Sequence, residues 1–229
     1  MEKNELLIKM VLKHEGGWVD DPADTGKATY QGISSKYHPM WEGWEILKRY
    51  EPLKYNEIVD DPELEKCVID VYTADYYNPM KIDKVDNLML SAHMFCHCVN
   101  AGCSAAVKLL QKAINKVYGI NMLVDGRVGP KTLEYANKVD KMNNLIKEYI
   151  KQRKEFYNNI VKRNPSQKKF LKGWLARVDG TTNYINANSG DGNGVMQQDV
   201  MFLGGSVDKF SIIKKIIEFI LKLIFRKRR

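Results

Sequence analysis

A glutamate leads into a loop crowded with carboxylates: His14-Glu15-Gly16-Gly17-Trp18, then Val19-Asp20-Asp21-Pro22-Ala23-Asp24-Thr25-Gly26-Lys27-Ala28-Thr29-Tyr30-Gln31-Gly32-Ile33-Ser34. Residues 4 to 14 have helical spacing, with Leu7, Met10, Val11 and His14 on one face and Leu6, Ile8 and Leu12 widening it. This reading makes Glu15 the last residue of the helix and Gly16 its left-handed stop. At a helix C-terminus the macrodipole opposes ionisation, and a neighbouring Trp18 excludes water; both raise the carboxyl pKa. Such an acid is suited to protonating a glycosidic oxygen near neutral pH. A second group must then stabilise the developing cation or activate water. Asp20, Asp21 and Asp24 are the carboxylates that follow in the loop.

The run EGGWVDDPADTGKATYQGIS resembles the signature of glycoside hydrolase family 108, phage-type muramidases that cut the glycan strand of peptidoglycan. The resemblance implies that Glu15 is the catalytic acid. The order Glu15, Asp24, Thr29 resembles that of phage-type lysozymes and implies a catalytic set of those three. Trp18, Asp21 and Gln31 are the implied glycan contacts within the loop. The cluster Tyr72, Tyr76, Tyr77 with Asn78-Pro79 resembles the family's YW-x-P segment, so Tyr76 and Tyr77 either stack on a sugar or pack between helices. Val99-Asn100-Ala101-Gly102 resembles a V-N-x-G turn, in which Asn100 contacts substrate or caps the helix that follows. Cys96 stands where the family often has an Asp. Asp125-Gly126-Arg127-Val128-Gly129-Pro130-Lys131-Thr132 resembles the turn of small helical peptidoglycan-binding modules, and Gly173-Trp174 with Arg177 resembles the family's final helix.

The elements that must position these groups read as helices throughout. Ser34 or Ser35 is placed to cap a helix through Lys36-Tyr37, and residues 55 to 60 read as a short helix. Asp61-Pro62-Glu63 is a helix start with an Asp cap and proline at the first position. Residues 84 to 99 read as a buried helix, 104 to 118 as an amphipathic one, and 131 to 163 as a helix pair or one long helix. Trp41 and Trp44 form either a sugar platform or core. From Gly180 to Ser206 the composition turns to Gly, Asn, Asp, Thr and Ser, as in a flexible linker. The expected class is all-α: a lysozyme-like helical bundle, a flexible linker and a C-terminal cationic amphipathic helix. The expected divisions are a catalytic region at 1–95, a peptidoglycan-associated region at 96–186, a linker at 187–208 and the helix at 209–229.

That last helix, Phe210 to Arg229, interrupts its apolar face with lysines too often for a membrane span. Lys214, Lys215, Lys222, Arg226, Arg228 and Arg229 suit contact with an anionic membrane surface. Residues 209–229 hold eight Lys and Arg against Glu218, so nearly all of the chain's net charge of +8 belongs there. A near-neutral remainder argues against a nucleic-acid partner. Residues 1 to 14 show no signal peptide, which points to synthesis in a host cytoplasm, release by a holin-type factor and reduced thiols. His93 and His97 with Cys96 share a helix face as metal ligands do, yet no C-x-x-C pair accompanies them; packing is the stronger reading, and no metal or cofactor is expected. Peptidoglycan is the expected partner of a monomeric endolysin. The alternatives are a non-catalytic wall-binding or secretion-activating protein, and a membrane-active protein acting through its last helix.

Overall fold

The structure, a computed structural model, describes residues 2–20 and 28–188. It divides into two compact units, Met1–Pro79 and Met80 onward. Asp21, Asp24, the linker from 189 on and the cationic terminal segment lie outside the described residues.

In the first unit α1 (Lys3–Leu12) buries Leu6, Leu7, Ile8, Met10 and Val11 against α3 (Pro62–Tyr72). Between them lie three two-residue antiparallel strands in the order β1 (Trp18–Val19), β2 (Thr29–Tyr30) and β3 (Ile33–Ser34). Ser34 and Ser35 therefore open no helix. Gln31 and Gly32 both have positive φ, the geometry of a two-residue hairpin turn, and this pairs Tyr30 with Ile33 instead. Residues 55 to 60 form a turn where a short helix was expected. Asn56, at φ 62°, leaves the helical region there. The Asp61 cap is present: its carboxylate accepts from the backbone of Glu63 and Leu64. A five-residue π segment, Thr73–Tyr77, extends α3.

The second unit is built around α4 (Leu88–Ala101). Every residue from Leu90 to Cys98 is buried, as befits a helix surrounded on all sides by α5 (Cys103–Tyr118), α7 (Met142–Arg163) and α8 (Lys168–Asn188). The 131–163 stretch is a pair: α6 (Pro130–Ala136), with proline at its start, then α7. Buried Gln111 locks the Asp125 turn, donating to Asp125 Oδ1 and accepting from Gly126 N. Two expectations are corrected. The linker does not begin at Gly180: α8 runs on to Asn188 because Val178, Thr181 and Ile185 keep burying one face. Cys98 and Cys103 are disulfide-bonded rather than reduced, since the chain turns so tightly at Gly102 (φ 88°) that their Cα atoms stand 4.1 Å apart.

Inside this unit Arg153 is fully buried, with no carboxylate partner among the described residues. Its guanidinium meets His93 Nδ1 at 2.5 Å and donates to Cys96 Sγ at 3.3 Å. A guanidinium only donates, so Nδ1 of His93 is the acceptor and its Nε2–H is left to donate to Thr182 Oγ1. Burial, with the Arg153 charge beside it, holds the pKa of His93 well below the usual value, and that of His97 likewise. Stability therefore falls with acid: below the ordinary value of 6.5 the unfolded chain binds protons that the folded one refuses, whereas above it the effect vanishes. Each imidazole costs up to about 1.4 kcal/mol per pH unit in that window. Thermal melts from pH 7.5 to 5.5 check this: the midpoint should drop below pH 6.5, and His97→Asn should make the drop shallower.

Candidate active site

The backbone of the Glu15 loop is fixed before its side chain is. α1 stops at Leu12, and Lys13 to Glu15 form one further turn closed by Glu15 N donating to Leu12 O at 3.0 Å. Glu15 thus sits a turn beyond the helix, and Gly16 is not left-handed: the positive-φ glycines among the described residues are Gly32, Gly102, Gly119 and Gly126. The reason for the second glycine is proximity. A Cβ on Gly17 would lie 1.9 Å from the carbonyl oxygen of Glu57. Three hydrogen bonds close this seam: Gly17 N to Asn56 Oδ1 at 3.0 Å, Trp18 N to Glu57 O at 2.8 Å, and Asn56 N to Trp18 O at 2.7 Å.

The hairpin then brings its turn beneath the carboxylate. β1 pairs Trp18 with Tyr30 and Val19 with Thr29. A Cβ on Gly32, at φ 80°, would stand 3.3 Å from Glu15 Oε2 and 2.7 Å from the Tyr72 hydroxyl. That hydroxyl donates to the Gln31 carbonyl at 2.9 Å and holds the turn in place. Glu15 is only 9% exposed. The Tyr72 and Tyr76 rings lie 5.5 Å apart, and the Tyr76 pKa is pushed up to about 12, by burial first and then by the nearby carboxylates of Asp75 and Glu15. Its phenol, like any tyrosine's, is protonated at physiological pH and offers a donor near the Glu15 carboxyl.

Of the residues singled out from sequence, Glu15, Gln31 and Tyr76 come together here. Thr29 is buried on β2, two positions before the turn. Tyr77 is 7% exposed and faces the interior of its unit. Asn100 belongs to the second unit, where its amide donates to the Cys96 carbonyl and accepts from Arg177; it caps no helix, since Gly102 precedes α5. Trp18 lies edge-on to Trp44, which packs perpendicular to Trp41. The indole N–H groups of Trp41 and Trp44 donate to the carbonyls of Cys67 and His38, so the pair is bound into the structure. A depression of about 300 Å³ lies beside Trp41 and is lined also by Met40, Asp70 and Asp75; Glu15 is not part of its wall. Asn56 and the Gly17 contact were not evident as site features, because neither has a spacing signal of its own; Tyr72 stood out only as part of its tyrosine cluster, not as the residue that holds the turn.

Gly17→Ala should lower stability by about 1–3 kcal/mol through the forced contact with Glu57. Tyr72→Phe should cost about 1 kcal/mol by freeing the Gln31 carbonyl. Denaturant midpoints measure both, and an unshifted midpoint for Gly17→Ala would contradict the seam.

Comparison with known proteins places this geometry. Residues 8–102 match the model of the Glycosyl hydrolase 108 family, and residues 105–179 that of the Predicted Peptidoglycan domain. Among solved structures the chain is similar to Brucella abortus SagA, with a TM-score of 0.55 and 25% identity over 82% of this chain and 97% of that one. No curated protein matches the chain significantly. The buried glutamate on its stapled loop therefore lies in a stretch that matches the glycosyl hydrolase 108 model, followed in sequence by one that matches the predicted peptidoglycan domain, and the two matches together support a glycoside hydrolase acting on peptidoglycan.

Proposed function

We propose that the chain is an endo-acting muramidase of the lysozyme type, cutting the β-1,4 bond between N-acetylmuramic acid and N-acetylglucosamine, and that it serves a bacteriophage as an endolysin. The observation that carries this reading is the Glu15 carboxyl, nearly buried against the Gly32 turn and the Tyr72–Tyr76 pair. Glu15 donates its proton to the leaving oxygen. The oxocarbenium ion that develops needs a second group. Asp24 is the proposed carboxylate and Thr29 its proposed helper, while Trp18, Asp21, Gln31 and Tyr76 face the glycan. Tyr76 carries a protonated phenol, which supports a hydrogen bond to a sugar hydroxyl or to Glu15.

Mass spectrometry of fragments from purified peptidoglycan tests the assignment. Reducing-end N-acetylmuramic acid products are expected; N-acetylglucosamine reducing ends or cleaved peptides contradict it. Glu15→Gln should keep the thermal midpoint and lose about 10²- to 10⁴-fold in rate, the usual contribution of a positioned acid. Retention of more than about a tenth of the rate would remove Glu15 from the role.

The terminal segment supports a second location for the protein. Eight basic residues against one acid, interleaved with isoleucine, leucine and phenylalanine, suit the headgroup region of an anionic bilayer. Deleting residues 207–229 should leave cleavage of purified peptidoglycan intact and abolish binding to anionic vesicles. Equal vesicle binding by both chains would end this reading.

A further inference from the structure

Charge is divided between the two units. Residues 1–79 carry nine Lys and Arg against sixteen Asp and Glu, a net charge of −7. Residues 80–188 carry nineteen against eight, a net charge of +11. The near-neutral body hides this opposition. Within the second unit the excess has a location. From Phe156 to Val178 there is no Asp or Glu, but there are Lys162, Arg163, Lys168, Lys169, Lys172 and Arg177.

The acids flanking this stretch already have partners, Glu155 with Lys151 at 3.9 Å and Asp179 with Lys154 at 2.6 Å. Arg177 turns to Asn100. The other five cations sit where α7 ends, a short 3₁₀ turn (Pro165–Gln167) follows and α8 begins. All five are exposed, and none forms an ion pair among the described residues. The platform beneath them is ordered: Tyr157, Phe170, Trp174 and Val178 make a buried cluster, with Tyr157 and Trp174 stacked at 5.4 Å. A solvated helix face ordinarily mixes signs, as α7 does with Lys116–Glu148 and Lys151–Glu155. Five like charges on one hairpin tip repel each other and gain only from an anionic partner.

We propose that this tip binds the free carboxylates of peptidoglycan peptide stems. Four of the five cations are lysines, point charges without the planar fork of arginine, so they answer to charge density rather than to one shaped ligand. None of the exposed large hydrophobic residues lies on the tip, so it has no wedge for a bilayer. The tip falls inside residues 105–179, matched to the Predicted Peptidoglycan domain. Peptide stems that are not cross-linked end in carboxylates. The hydrolase unit, at −7, is repelled by that polymer, and the second unit supplies the attraction. Only the choice of partner rests on the reading of the chain as a peptidoglycan hydrolase.

Sedimentation with purified sacculi on ice tests this, using the full chain and K162Q/R163Q/K168Q/K169Q/K172Q. The variant should bind about tenfold more weakly, the effect of several exposed charge contacts together. Wild-type binding should weaken with salt. Sacculi whose carboxylates are converted to amides should bind both chains equally weakly. Equal binding of the two chains to native sacculi overturns the proposal, as does a difference that survives amidation. A variant that binds sacculi normally yet loses anionic vesicles assigns the tip to lipid and overturns it too. Cleavage of a soluble glycan without peptide stems, followed by product mass, reports separately on the hydrolase: its absence from both chains would remove the enzymatic reading and leave the binding result intact.

Discussion

The contact between Gly17 and the Glu57 carbonyl is the constraint on which the hydrolase unit depends. No side chain fits between them, so the chain after α1 must run flush against the 54–57 turn. Once there, Trp18 exchanges backbone hydrogen bonds with Asn56 and Glu57, and β1 has its position. β1 sets the register of β2, and the hairpin turn then lands under Glu15. Glu15 is thus placed by a chain of backbone contacts that starts at the Gly17 approach. Tyr72 adds the last restraint from α3, through one hydroxyl on the Gln31 carbonyl.

Much of the helical architecture was legible because helices declare themselves locally. Asp61 with Pro62 marks the start of α3, and Pro130 that of α6; the apolar spacing of α5 holds over four turns. Glu15 was legible through a dense motif. What escaped was set by partners distant in sequence. Residues 55 to 60 have enough apolar spacing for a helix, yet Asn56 is drawn out of it to accept from Gly17, 39 positions away. Gly180 looks like a linker residue until the burial of Thr181 and Ile185 is known. Tyr72 stood out only as a member of its tyrosine cluster; its bond to a carbonyl 41 residues back left no cue in the sequence.

The two units solve different electrostatic problems. The first carries a net negative charge and buries the Glu15 carboxyl. The second carries a large positive excess at its surface and one cation in its centre. Arg153 is surrounded by sulfur, imidazole and phenol groups, with Nε left without a partner. A buried guanidinium without a carboxylate is costly to desolvate, and the surrounding helices must hold it there against that cost. Packing of α4 on all sides, rather than ion pairing, therefore carries the second unit.

The two unbridged thiols are distributed one to each unit. Cys67 is half-buried on α3, whereas Cys96 is sealed in α4 beside Arg153. A thiol reagent meets Cys67 at the surface of the first unit but reaches Cys96 only when the second opens. Labelling kinetics at the two positions consequently form a built-in clock. Cys96 reports the opening frequency of the helical unit alone, separate from that of the hydrolase unit, with no probe added to the chain.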